Sequence, residues 1–171
     1  MAGDEAGNAT QLDAIRARVR AFAAEARARQ VVLLDMSGHV LAAAGAVWQD
    51  DVALGALLAG LFGSARALAA VFGEADFRAF FQQGIEVSIY TLLIGDRWLL
   101  VTVFDRQSQV GMVRMLANQS ASALADDLVR LATADLSTVR ATIHSQAFRA
   151  SFDDTLERLF QDVPLTAGEE R

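Results

Sequence analysis

The residue types able to do acid–base, nucleophilic or metal chemistry are few in this chain, and their spacing is wrong for the familiar sites. The two histidines stand far apart: His39 follows an Asp-Met-Ser-Gly turn and His144 lies in a polar stretch near the C-terminus. The acidic pairs Asp50-Asp51, Asp126-Asp127 and Asp153-Asp154 are adjacent in sequence. Neighbouring helical positions point in different directions, so such a pair does not converge on one metal or one proton. Helix-start charge and solvation account for them; a carboxylate pair assembled by the fold from distant positions stays open at this point. All 15 basic residues are arginine, and without lysine no phosphate-binding Gly-Lys loop can form. No two glycines flank a single residue, so the dinucleotide fingerprint is missing, and no Gly-x-Ser-x-Gly elbow exists. With no cysteine, thiol nucleophiles, disulfides and thiolate metal sites are excluded. The expectation is a chain with no catalytic residue, no metal and no cofactor.

The elements that would position any site follow from hydrophobic period. Over half of the 171 residues are hydrophobic (53%) and mean hydropathy is +0.28, enough for one packed core. A net charge of −6 argues against nucleic acid and against anionic membrane surfaces as partners. Residues 1–9 read as disordered. A first helix follows, with Thr10 as its cap and Leu12, Ile15, Val19 and Phe22 at helical spacing. Val31–Leu34 and His39–Ala42 form a hairpin around Gly38. Glu86–Leu93 and Arg97–Phe104 form another around Gly95-Asp96, and the stretch Phe77–Gln82 fits either a short helix or an edge strand. Both faces of these strands are apolar, so helices must cover both sides of the sheet. A third helix runs from Gly111 to about Ala134, and residues 135–147 read as a linker. An amphipathic helix over 148–163 and a tail over 164–171 complete the chain. The domain proper is placed at 10–134.

The second helix, about 51–72, is the most informative element. Leu54, Leu57, Leu61, Ala65, Leu68 and Phe72 form one large apolar stripe, and Ala56, Gly60, Gly63, Ala67 and Ala70 form a small-residue stripe roughly opposite it. A solvated face would carry charged or amide residues instead. Two mid-helix glycines cost about 1 kcal/mol each relative to alanine, and the close approach of a second copy of the same helix would offset that. The segment is nearly apolar over one bilayer width. Arg66 inside it, at roughly 2.5–3.5 kcal/mol for insertion, and its acidic flanks argue against a membrane span. No secretory signal is visible, and the expected location is the cytoplasm.

Several local motifs in this order resemble the roadblock family, and within it the bacterial MglB-type regulators of polarity GTPases. They are the run Val31–Leu41 with its Asp35-Met36-Ser37-Gly38 turn and Ala44-Gly45, then Leu57-Leu58-Ala59-Gly60 and Phe72–Phe77. Gln83-Gly84 before Val87–Tyr90, the strand Leu99–Asp105, and Gly111–Arg114 continue the series. The similarity covers about residues 10–130, and Phe148–Phe160 resembles the family's appended C-terminal helix. The resemblance implies an α-ββ-α-βββ-α sandwich with a five-stranded antiparallel sheet, in which Phe77–Gln82 is a strand. It implies a homodimer built on the second helix, with Ala56, Ala59, Gly60, Gly63, Ala67 and Ala70 at the interface. It also implies a Ras-like small GTPase of MglA type as partner, contacted by Leu58, Phe62 and Arg66, with Phe148, Phe152, Leu156, Leu159 and Phe160 as a second contact. The implied mechanism repositions the GTPase's own active-site residues rather than inserting Arg66, Arg97, Arg106 or Arg114 as an arginine finger. Two other readings remain open: a roadblock scaffold that binds without activating, and a ligand-sensing domain of profilin, GAF or longin type.

Overall fold

The computed structural model describes residues 2–45 and 51–143. In chain order these form helix α1 (Ala2–Glu25), strands β1 (Gln30–Asp35) and β2 (Val40–Gly45), and helix α2 (Asp51–Val71). Strands β3 (Ala79–Gln83), β4 (Ser88–Ile94) and β5 (Trp98–Phe104) follow, and then helix α3 (Val110–Ile143). The strands make one antiparallel sheet in the order β2-β1-β5-β4-β3. The ambiguous stretch before Gln83 is thus an edge strand.

Side-chain alternation divides the sheet between two cores, because successive strand residues point to opposite faces. Val31 and Leu33 of β1, with Tyr90 and Leu92 of β4 and Leu100 and Phe104 of β5, meet Ile15, Val19 and Phe22 of α1 and Val113, Leu124 and Leu128 of α3. Val32, Leu34, Leu93, Leu99 and Val101 point the other way, to Leu58, Ala59 and Phe62 of α2. Full burial of a leucine, valine or phenylalanine contributes about 1.5–3 kcal/mol, so these paired layers carry the fold.

The β1–β2 and β4–β5 hairpins are set by local chemistry. Gly38 adopts φ +95, a region closed to most L-residues, and Asp35 Oδ1 accepts hydrogen bonds from the Ser37 and His39 backbone N–H groups (2.9 and 3.0 Å) and from the Ser37 hydroxyl (2.6 Å). The β4–β5 connection differs from the two-residue loop expected. Ile94 pairs with Trp98, so Gly95, Asp96 and Arg97 all lie in the turn, where Gly95 takes φ +59.

Two boundaries correct the sequence reading. Helix α1 begins at Ala2 instead of after a disordered stretch over 1–9. Gly3, Gly7 and Asn8 are poor helix formers, but three alanines and no proline leave nothing that stops the helix. Helix α3 runs on to Ile143, so most of the expected linker at 135–147 is helical. Between Ala132 and Ile143 there is neither glycine nor proline to end it. The chain divides into compact units over 1–131 and 132–171, the sheet lying wholly in the first. The expected C-terminal helix at 148–163, with Phe148, Phe152, Leu156, Leu159 and Phe160, lies outside the described residues.

Candidate partner-binding surface

Helix α2 attaches to the sheet through a narrow stripe. Gly55, Leu58, Ala59 and Phe62 are buried, and no residue from Gly63 to Val71 is. These four positions are spaced i, i+3, i+4 and i+7, the pattern of a single helical face. Phe62 is 1% exposed, and its ring lies 5.3 Å from that of Phe77 on the segment leading into β3. Leu58 and Phe62 therefore belong to the chain's own core and present no side chain to a partner, contrary to the expected role. Ala59 is buried with them and is likewise removed from the expected dimer contact. Alternating small and large residues around the helix hid this stripe in the sequence; the Leu58–Phe62 pair at i, i+4 beside Gly55 was the signal that could have revealed it.

The opposite side of α2 is bare. Leu57 (71% exposed), Leu68 and Val71 (79%) stand in solvent together with Ala53, Ala56, Gly60, Ser64, Ala67 and Ala70, and Phe72 (82%) follows at the helix end. The large stripe and the small stripe do not oppose one another as expected; parts of both share this outward side. Cβ atoms added at Gly60 or Gly63 would meet nothing within 4 Å. Arg66 is exposed and is the one charged residue between Val52 and Gly73. By length and composition Val52–Val71 could cross a bilayer, but one side of it is packed on the sheet. Patches of this kind, apolar and nearly uncharged, mark interaction sites.

Elsewhere the described residues offer little chemistry. Ser37 Oγ sits between Asp35 Oδ1 (2.6 Å) and His39 Nδ1 (2.9 Å), so the hydroxyl, not the imidazole, is central, and the group serves the turn. Burial alone would raise the Asp35 carboxyl, but hydrogen bonds from Ser37 and His39 outweigh it and hold its pKa below 3.8. The Asp105 carboxyl is also lowered, first by the Gln107 backbone N–H (2.8 Å) and then by Arg29 at 2.7 Å, a bond that ties the end of β5 to the α1–β1 connection. An open groove of about 620 Å³ runs between the β3–β4 turn and the start of α3, floored by Phe81 and Phe104 and walled by Ile85 and Val110. Its polar members are partly spent on structure: the Ser108 hydroxyl donates to Ala26 O at 2.7 Å and Arg106 Nη2 to Ile85 O at 3.3 Å. No group of three or more acidic or histidine side chains among the described residues could hold a metal ion.

This arrangement, a five-stranded antiparallel sheet with α2 alone on one side among the described residues and half exposed, agrees with a family model. The model for the Roadblock/LC7 domain matches residues 17–104. The chain belongs to the roadblock family. Solved structures carry the likeness further. Myxococcus xanthus MglB is 29% identical with a TM-score of 0.66, covering 70% of this chain and 91% of its own. An MglB described as having a tetrameric arrangement is 30% identical with a TM-score of 0.65, covering 71% and 92%. The gliding protein MglB from Thermus thermophilus is 30% identical with a TM-score of 0.62, covering 68% and 90%. No curated protein sequence matches the chain. The roadblock chain is thus a member of a regulatory rather than a catalytic family.

Proposed function

We propose that this roadblock protein is a homodimer that binds a small Ras-like GTPase of MglA type in the cytoplasm and accelerates its GTP hydrolysis. The observation that carries the reading is the outward side of α2, where Leu57, Leu68 and Val71 stand exposed on a helix whose one charge after its first residue is Arg66. A second copy of α2 is its natural cover: Gly60, Gly63, Ala56, Ala67 and Ala70 let two backbones approach, and the larger side chains pack around the crossing. The paired helices then offer a joint surface to one GTPase, with the exposed Arg66 of each protomer on the line of Phe62, off the crossing itself. With Leu58, Phe62 and Ala59 assigned to the core, this surface consists of the exposed residues alone.

Acceleration follows if the dimer binds the hydrolysis-competent conformation of the GTPase more tightly than its resting one. Phe148, Phe152, Leu156, Leu159 and Phe160 supply a second contact, which raises affinity by linkage to the first. The test is single-turnover hydrolysis by a cognate Ras-like GTPase with and without the protein. The protein alone hydrolyses no GTP, and its addition speeds the GTPase. Single alanine replacements of Arg66, Arg97, Arg106 and Arg114 leave most of the stimulation, whereas a loss of about 10³-fold from one of them would reveal an arginine finger. Binding without any change in turnover would make the protein a scaffold and overturn the activating role.

A further inference from the structure

Besides Leu58, Ala59 and Phe62, helix α2 is held by a backbone contact that leaves no room for a side chain. A Cβ at Gly55 would lie 2.0 Å from Gly38 O and 3.1 Å from Gly38 C. In the reverse direction, a Cβ at Gly38 would lie 2.9 Å from Gly55 C and 3.0 Å from Ala56 N. Both residues are buried, and both atoms in the way are main chain, which cannot rotate aside as a side chain would. The carbonyl that meets α2 belongs to the β1–β2 turn. That turn is braced by the Asp35 carboxylate, by Asp35 N–H to His39 O (3.0 Å) and by Gly38 N–H to Asp35 O (3.0 Å).

We infer that the Asp35–His39 turn is the positioning element for α2: through the Gly38–Gly55 contact it sets the tilt of the helix and hence where the bare far half stands. The inference rests on the reading of that side as the partner surface. The mechanics are those of a lever. Phe62, wedged against Phe77, lies about 10 Å along the helix from Gly55, and Val71 lies about 13 Å beyond Phe62. Nothing on α2 downstream of Phe62 is buried. An added Cβ must move away from Gly38 O by more than about 1 Å to reach ordinary contact, and pivoting at Phe62 swings the far end by a similar distance the other way. Close helix crossings are intolerant of such a shift, because their small residues must stay in register.

The chain lacks cysteine, so spin labels can be attached at Ala70→Cys and Asp96→Cys, and their separation measured by pulsed electron resonance in protein diluted with unlabelled chain. Self-association is measured separately, on unlabelled protein, by sedimentation. Gly55→Ala moves the label distance by about 1 Å or more and weakens self-association about tenfold or more. Asp35→Ala reproduces both effects, whereas Asp35→Asn, which keeps an oxygen to accept the turn's N–H groups, stays near wild type. Val113→Ala, which loosens the opposite core, moves neither quantity while the protein is folded. If Gly55→Ala does not fold, the Asp35 pair decides. An unmoved distance in the folded variants, or an equal effect from Val113→Ala, overturns the inference. A wild-type chain that is monomeric at every concentration defeats the dimer reading alone, and the label distance still decides this one.

Discussion

The two sides of the sheet are finished differently. On the side of α1 and α3, 19 buried hydrophobic residues make one continuous cluster, against 8 on the side of α2. Two helices close the first side, and the Arg18–Asp127 salt link (3.0 Å) joins α1 to α3 across it. One helix lies on the second side, attached by its first three turns, and turns Leu57, Leu68 and Val71 outward. The contrast teaches that apolar content does not by itself locate the core. Helix α2 is the most apolar helix among the described residues, yet much of its surface is left for something else to bury. In a chain with net charge −6, a nearly uncharged surface of this size is informative.

The comparison can be broken most directly from the closed side. Leu100→Ala or Phe22→Ala, each emptying a fully packed position, should cost about 3–5 kcal/mol in denaturant unfolding. Leu57→Ala, on the outward side, should cost under about 0.5 kcal/mol when unfolding is measured at concentrations where the chain is monomeric. Equal losses would mean that Leu57 is covered within its own chain. The next largest effect is on assembly. Gly60→Glu or Gly63→Arg introduces volume and charge into the proposed crossing, although a Cβ at either position meets nothing within 4 Å outside its own stretch of helix. Light scattering should then report a mass near 18.3 kDa where the unchanged chain gives twice that, with the melting temperature of the monomer little altered.

A smaller effect sharpens the closed side. Thr102 is fully buried there, and its hydroxyl has no hydrogen-bond partner among the described residues. Thr102→Val removes the unpaired group at similar volume and should stabilise by about 1 kcal/mol, read as a higher urea midpoint at constant slope. A fall in midpoint would show that the hydroxyl is satisfied. The smallest effect concerns acid. Asp35 and Asp105 both have folded pKa values lowered from 3.8, so the unfolded chain binds protons more readily than the folded one. Their contribution is present in full above the unfolded pKa and lost as pH falls below about 4 through the lowered folded values. Unfolding titrations at about pH 6 and about pH 3 should therefore show a smaller pH-dependent loss for Asp35→Asn than for the unchanged chain.

Much of the fold was legible because strand and helix periods are local. Val31–Leu34 and Leu99–Val103 are apolar on both faces, which requires cover on both sides, and the helical spacing of Ile15, Val19 and Phe22 marks the inner line of α1. The start of α1 and the far end of α3 were not legible, since weak helix formers near Gly7 and a polar run after Ala134 resemble breaks where no true stop signal stands. The candidate surface was half legible. The apolar, nearly uncharged character of α2 could be read from its composition, whereas which of its side chains stand exposed could not.

Sequence by itself determined that α2 is an apolar helix with too little charge for a solvated face, because composition and period belong to the segment alone. Which stripe turns inward was decided only in the tertiary structure. Leu57 and Leu58 are the same residue type one position apart, and the roughly 100° between neighbouring helical positions puts one in solvent and the other in the buried cluster that includes Val32 and Leu99. No local preference distinguishes them. The inward stripe includes Gly55, which lies against the Gly38 carbonyl of the preceding hairpin turn with no room for a side chain.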